Sequence, residues 1–373
     1  MKVFVQWIRK EPVLFAAILL AGCSACVVPP DIEYLGYIDN RVLALLFCLM
    51  LVVTGLQEAG VFQAVSRKLL QHVHGLRGLV WTLLALCFFG SMVITNDVSL
   101  ITFVPFAILI LTMTGMERYL IPVIVLQTIG ANLGSMLTPV GNPQNLYLYS
   151  VAGMSITHFL QVMAVPTVIS FAMLVVSGFF FPNHRIALKE SAAETLNKQK
   201  IGIYLILLVV CLLTVAHFLH YLVTLLLVVA IFLLINRQLF ARVDYVLLAT
   251  FAAFFVFVGN VERVSAVNQL LTQAVGGNEL GIGIVLSQFI SNVPAAILLS
   301  GFTTQYEALL LGVNIGGLGT LIASMASLIS YKCYTGLEPQ KSVHKGKYML
   351  VFTGLNLLFL AVLVLAVIVC GMQ

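Results

Sequence analysis

The sequence predicts an all-α membrane protein: about nine transmembrane helices and two re-entrant hairpins, arranged as inverted-topology repeats with two broken helices. Three observations carry this prediction: the apolar composition, the placement of positive charge, and an internal repeat. Only 9% of the 373 residues are charged and 61% are hydrophobic, more apolar surface than a soluble exterior could hide. The apolar residues fall in long runs, such as Val13 to Val28, Ile201 to Ala216 and Tyr348 to Cys370. About 20 such residues cross a hydrocarbon core of about 30 Å.

Taken in order, the spans read 12–28, 41–57, 119–152 (interrupted), 157–181, 201–218, 221–235, 243–259, 306–332 (interrupted) and 348–370. Two stretches fit less simply. Residues 79–113 and 280–304 are each a pair of short apolar arms around a polar tip, Thr95-Asn96-Asp97 and Ser291-Asn292. An arm of about 15 residues rises only about 22 Å, too short to cross comfortably, so both stretches read as hairpins that enter and leave by one side.

Positive charge tests that topology. A cytoplasmic N-terminus puts loops 1–11, 58–78, 114–118, 182–200, 236–242 and 332–347 inside, and these hold 17 of the 19 Lys and Arg residues. Only Arg41 and Arg263 fall outside, whereas Asp31, Glu33, Asp39, Glu262, Glu279 and Glu307 are external. Reading either hairpin as a full crossing would flip the downstream loops and destroy the bias. The expected location is a bacterial inner membrane, with the N-terminus cytoplasmic and the C-terminus external. The net charge of +5 is therefore an orientation signal, and a nucleic-acid partner is not expected. Lys2, Arg9 and Lys10 followed by Leu20-Ala21-Gly22-Cys23 also resemble a lipoprotein signal; the segment is read as a membrane helix. The seven cysteines read mostly as small buried hydrophobes, with Cys23 and Cys26 the one candidate redox pair.

The repeat aligns Gly130, Asn132, Gly134 and Thr138 with Gly312, Asn314, Gly316 and Thr320, a constant offset of 182. Upstream, Gly55 and Glu58 match Gly259 and Glu262, and Asn96 matches Asn292. The chain divides into an N-terminal helix and loop (1–38), a first repeat (39–181), connecting segments (182–242) and a second repeat (243–373). The 201–218 helix stands between the repeats and reverses the second one, the pattern of secondary transporters. Connectors 59–76 and 261–276 are amphipathic; in the first, Val61, Val65, Leu69 and Val73 share a face and Arg67, Lys68, Gln71 and His72 lie elsewhere. Such helices lie along the interface.

Backbone inside a bilayer must satisfy its own hydrogen bonds, so non-helical segments survive there only within protein or beside water. Asn132 to Asn145 is one, because Gly134, Pro139, Gly141 and Pro143 oppose a continuous helix; Asn314 to Ser327 is the weaker second, disrupted only by Gly316, Gly317 and Gly319. A broken helix offers N–H groups on one side and carbonyls on the other, and so can hold an anion and a cation. The candidate ligands at the first break are Asn132, Ser135, Thr138, Gly141, Asn142, Pro143 and Asn145, and at the second Asn314, Thr320 and Ser324. Asp97 is the one acid or base expected at mid-depth. It reads either as a cation ligand or proton carrier, or as a cap on the hairpin turn. Thr95, Asn96, Asp97, Ser291 and Asn292 are candidates for holding Na⁺ as a coupling ion; the same neutral oxygens also serve to cap the tips. His158, His217 and His220 read as interfacial residues. No cofactor is expected.

Thr95-Asn96-Asp97, the run Ser135 to Asn145 with its Gly-Asn-Pro-Gln-Asn, and Ser291-Asn292-Val293-Pro294 together resemble the ion transporter superfamily of divalent anion:sodium symporters, citrate carriers, arsenite pumps and sodium/proton antiporters. The resemblance spans roughly 40–335 and is strongest to small bacterial anion or citrate transporter-like members. It implies an elevator-type homodimer whose hairpin tips and broken helices form the site. The symporters carry Ser-Asn-Thr in both tips; here Asp97 replaces one hydroxyl and Val293 another, so the first tip looks more like the arsenite and sodium/proton branches. The expected function is cation-coupled secondary transport of a small anion such as a carboxylate, with sodium/proton antiport or arsenite efflux as the alternative. A passive channel fits paired opposed hairpins less well. An intramembrane enzyme lacks a second aspartate or a nucleophile motif.

Overall fold

The computed structural model describes residues 11–71, 73–185, 196–337 and 343–372. Lys2, Arg9, Lys10, His72 and parts of the loops 182–200 and 332–347 lie outside the described residues. What is described is helical throughout, without a strand. The first elements are α1 (Pro12–Val27), the short α2 (Tyr34–Tyr37), α3 (Asn40–Glu58) and the amphipathic α4 (Val61–Leu70). Helices α5 (Leu76–Ile94) and α6 (Asn96–Met113) form the first hairpin. The broken helix follows as α7 (Leu120–Ser135) and α8 (Pro143–Val151), and α9 (Ile156–Phe179) closes the unit. Helices α10 (Lys198–Val215) and α11 (Tyr221–Ile235) lead to α12 (Tyr245–Arg263), α13 (Ser265–Val275), the second hairpin α14 (Glu279–Ile290) and α15 (Asn292–Ser300), the broken helix α16 (Tyr306–Ile315) and α17 (Met325–Thr335), and the last helix α18 (Lys345–Val369).

The series from α3 to α9 recurs, element for element, from α12 to α18. Each series opens on an acidic N-cap that accepts a backbone N–H from the first turn: Asp39 from Val42 and Asp244 from Leu247, both at 2.9 Å. Aspartate at that position satisfies one of the orphan donors of the helix end.

The feet of each hairpin decide that it turns back. Arg77, at the start of α5, donates to the Phe181 carbonyl at 3.0 Å, and Tyr119, just past α6, packs its ring on the Phe181 ring. Both feet of the first hairpin therefore sit at one end of the bundle, beside the end of α9. In the second, Thr303 just past α15 donates to Glu279 at the start of α14, at 2.8 Å. Its continuation, Glu307, meets His158 at the opposite end of α9, at 2.7 Å. The two hairpins enter from opposite ends, which is the inverted arrangement.

Arm length did not separate hairpins from crossings as the sequence predicts. At 19 and 18 residues, α5 and α6 are among seven described helices long and apolar enough to span a membrane. Each rises about 28 Å, and only the shared feet reveal the return. The arms of the second hairpin, 12 and 9 residues, are short as expected. Counting each broken helix once, the described residues make nine crossings.

The breaks are narrower than predicted. Non-helical backbone covers 136–142 and 316–324, so Asn132, Ser135, Asn145, Asn314 and Ser327 remain on helices. Asn132, Ser135 and Asn145 bond to the breaks instead of forming them, Asn314 bonds to Asn145, and Ser327 Oγ is buried without a partner. The α4 helix buries Ser66 and Leu70, while Val65 and Leu69 turn outward, where lipid would meet them in an interfacial helix. Cys23 and Cys26, the candidate redox pair, are both free.

At the Arg263 end, the segment after α1 clasps α12. Arg263 pairs with Asp31 at 2.7 Å and Glu33 at 3.4 Å, and Asn260 donates to Ser24 and Tyr34. The Arg263 guanidinium holds the Asp31 carboxyl below its ordinary value. This group's contribution is thus present above the unfolded carboxylate range and is lost as pH falls through the lowered folded value. His217 and His220 lie at this same end, His217 beside the Tyr149 hydroxyl at 3.2 Å and His220 capping α11.

Candidate functional site

The two hairpin tips use one backbone solution. Thr95 has φ 68° and ψ 153°, and Ser291 has φ 75° and ψ 153°, a region that is essentially confined to glycine. Each tip then docks on its own broken helix by the same two bonds. Asn96 N–H donates to the Gly141 carbonyl at 3.1 Å, and Asn292 N–H to the Ala323 carbonyl at 3.0 Å. The Thr138 hydroxyl donates to the Met92 carbonyl at 2.6 Å, and the Thr320 hydroxyl to the Gln288 carbonyl at 2.9 Å. Residues 138 and 320, like 141 and 323, are equivalent in the repeat. Gly141 is needed where it stands, because a Cβ there would overlap the Ser135 carbonyl.

Strain of this kind costs about 1–3 kcal/mol per residue. Thr95→Gly should relieve it, less about 0.5–1 kcal/mol for the added freedom of the unfolded chain. The variant should therefore melt higher by the equivalent of up to about 2.5 kcal/mol; a lower melting temperature would mean the Thr95 backbone is unstrained.

Between the tips runs a buried amide network that joins the two repeats. Asn132 accepts from Asn96 at 3.1 Å and from the Ser324 hydroxyl at 2.9 Å, and its own amide reaches the Gly317 carbonyl at 3.5 Å. Asn314 donates to Asn145 at 2.7 Å, and Asn145 in turn donates to the Ser135, Met136 and Thr138 carbonyls. Asn142 donates to the Ser135 hydroxyl at 2.6 Å. Buried polar groups must be paired, and here the pairing fixes the loops that interrupt α7–α8 and α16–α17. Asn142 and Ser324, equivalent in the repeat, both stand at the N-cap positions of the second half-helices.

One cavity of about 410 Å³ opens on this network. Thr95, Asp97, Asn142 and Pro143 line it, with Leu46, Leu49, Met50 and Val53 of α3 forming an apolar wall. Four charged or amide residues that sequence reasoning did not select complete it: Gln57, Glu58, Arg242 and Asp244. Glu58 is held by Arg242 at 3.0 Å and by the Asn236 amide at 2.6 Å. Its match to Glu262 in the repeat was the available signal. Gln288 was also missed; its amide joins the Gly316 and Leu318 carbonyls and accepts the Thr320 N–H, bracing the second break.

Two polar atoms of the cavity lining are buried without a hydrogen bond: Asp97 Oδ1 and Asn142 Oδ1. The Asp97 carboxylate makes no capping bond to backbone; Asn96 Oδ1 takes the Asp97 N–H instead, at 2.9 Å. The N-termini of α6 and α8 both abut this cavity, so their partial positive charge falls near Asp97. The cavity is lined by the first tip alone. Ser291 and Asn292 pack on the far side of the network, where Ser291 reaches Ala323 and Asn292 lies beside Gly317. Asn132, Ser135, Asn145, Asn314, Thr320 and Ser324 act here as the frame behind the cavity.

The family model for the citrate transporter, CitMHS, matches residues 3–307. The chain belongs to the citrate transporter family. An uncharacterized transporter of Methanocaldococcus jannaschii is 31% identical over 338 residues, covering 89% of this chain and 90% of that one. The inner membrane protein YbiR of Escherichia coli is 31% identical over 307 residues, covering 79% and 80%. A silicon efflux transporter of Oryza sativa is 31% identical over 152 residues, or 41% of this chain and 30% of that protein. This family member is thus a multi-pass membrane transporter, and the match ends just as α16 begins.

Proposed function

We propose that the chain is a cation-coupled secondary active transporter, working as an elevator, with Na⁺ or H⁺ as coupling ion and a small anion such as a carboxylate as substrate. The observation that carries this reading is Asp97 Oδ1, a buried carboxylate oxygen without a partner at the tip of a hairpin that lines a cavity. An unpaired charge at depth is expensive, and a proton or bound cation removes the cost. Asn142 Oδ1 and the Thr95 hydroxyl offer further hard oxygen donors beside it. The helix N-termini of α6 and α8 would face the anion once the Asp97 charge is neutralised.

A second reading draws on the lining itself, where three carboxylates (Glu58, Asp97, Asp244) stand against one guanidinium, Arg242. That balance favours exchange of Na⁺ for H⁺, or export of a hydroxylated weak acid such as arsenite. The silicon efflux relative supports the export form. In either reading the two repeats are the moving and symmetric units, the chain is a homodimer in a bacterial inner membrane, and the Glu58 end of the bundle is cytoplasmic.

Thermal stability of the purified protein, screened against small anions with Na⁺, Li⁺ or K⁺, tests both, since ligands stabilise by mass action. Stabilisation by an anion only with Na⁺, or only at low pH, is the expected result. Stabilisation by cations with no anion effect would replace symport by antiport.

A further inference from the structure

The acidic lining of the cavity extends beyond Asp97, and its composition points to a task of its own. Four charged groups face the cavity: Glu58 at the end of α3, Asp97 on α6, and Arg242 and Asp244 ahead of α12, while α8 contributes none. Arg242 and Glu58 are paired and largely cancel. Asp244 is exposed, and the one hydrogen bond of its side chain among the described residues is from the Leu247 N–H. Asp97 Oδ1 and Asn142 Oδ1 are the buried, unpartnered oxygens of the same lining. The cavity is thus lined by an exposed carboxylate, Asp244, and by a half-buried one, Asp97, whose Oδ1 is fully enclosed, between walls that are mainly apolar. A cleft lined by one sign of charge with low-dielectric walls concentrates the opposite ion.

We infer that Asp244 is an electrostatic relay for small monovalent cations, Na⁺ or H₃O⁺: it raises their concentration in the vestibule and passes them to Asp97 without being a ligand of the final site. This deepens the coupling role proposed for Asp97 and rests on it. Asp244 caps α12 from just outside it, whereas Asp97 belongs to the hairpin, so the relay serves the cavity in the conformation seen here.

The test uses the full chain and Na⁺ itself, with choline replacing it at constant ionic strength, and reads Na⁺-dependent thermal stabilisation; a parallel titration with protons distinguishes the two cations. Asp244→Asn removes the charge and keeps the cap, because asparagine caps as well as aspartate, and Asp244→Ser is a second neutral cap. Removing one charge near the path should raise the half-saturating concentration of the coupling cation about fivefold at about 0.01 M ionic strength, with unchanged maximal stabilisation. The difference should shrink at about 0.15 M, where screening shortens its reach, whereas a structural defect would persist. Equal affinity in parent and variants at low ionic strength overturns the relay, as does complete loss of the response, which would make Asp244 a ligand. A parent whose affinity ignores ionic strength overturns it too, whether or not the variants fold. Asp97→Asn run alongside separates the two claims: if it keeps the cation response, the coupling reading falls; if it alone loses the response, only the relay does.

Discussion

Replacing Asp97 by Asn should leave the chain folded and strip most of its response to the coupling cation. The amide has the size and one acceptor of the carboxylate, and the structure gives the Asp97 carboxylate no capping bond whose loss would unfold the tip. What changes is charge. Interactions of a charged group with a bound partner are worth about 1.5–3 kcal/mol, so cation affinity should fall about 10- to 100-fold. Flux into proteoliposomes, measured across pH with and without a sodium gradient, should lose its dependence on the coupling ion in the variant. Transport that stays coupled at parental affinity would reduce Asp97 to a residue of the frame. The cation would then have to rest on neutral oxygens of the lining, such as Asn142 Oδ1 and the Thr95 hydroxyl.

The parts of this site legible in the sequence are those whose cause is local. A polar triplet inside an apolar run must turn, and Pro139, Gly141 and Pro143 within fourteen residues must break a helix, so the first tip and the first break were readable. Recurrence at one offset then identified the weaker second copy, where Ser324 stands for Asn142 and Ala323 for Gly141. The network behind the cavity was legible only as residue types. Asn132 and Asn145 fall within the stretch that Gly134, Pro139, Gly141 and Pro143 mark as broken, yet both stay helical, and their amides find partners on the opposite repeat and on the loop. The mouth was not legible. Arg242 and Asp244 look like an orientation signal and a helix cap in sequence, and only the approach of Glu58, about 180 residues earlier, places them on a cavity. Arm length misled for a related reason. A hairpin arm and a spanning helix have the same composition in lipid, and the difference lies in whether their feet meet.

Gly134→Val should be among the most damaging single changes to the fold. Gly134 lies on α7 where α5 crosses it, and a Cβ there would overlap the Phe88 carbonyl and crowd the Ser91 hydroxyl. The obstacle is backbone, which cannot rotate aside as a side chain would. Membrane helices associate through close approach at small residues, since no hydrophobic gain exists between helix and lipid tail. The second repeat keeps the device, with Gly316 against the Ile284 backbone and Gly312 against the Leu280 carbonyl. Overpacking typically costs about 1–3 kcal/mol and more where the backbone must shift, and valine adds two further methyls to the overlap that alanine would already create. We expect Gly134→Ala to lower the melting temperature and Gly134→Val to yield little folded protein. Gly202→Ala on α10 is the control, because nothing lies within 4 Å of a Cβ at that position. It should be neutral or stabilising through helix propensity. The comparison is read by thermal melts on size-exclusion profiles of the three variants. A Gly134→Ala protein as stable as Gly202→Ala would mean that the hairpin does not seat on α7 as closely as the structure has it, and the docking of Asn96 on Gly141 would lose its support.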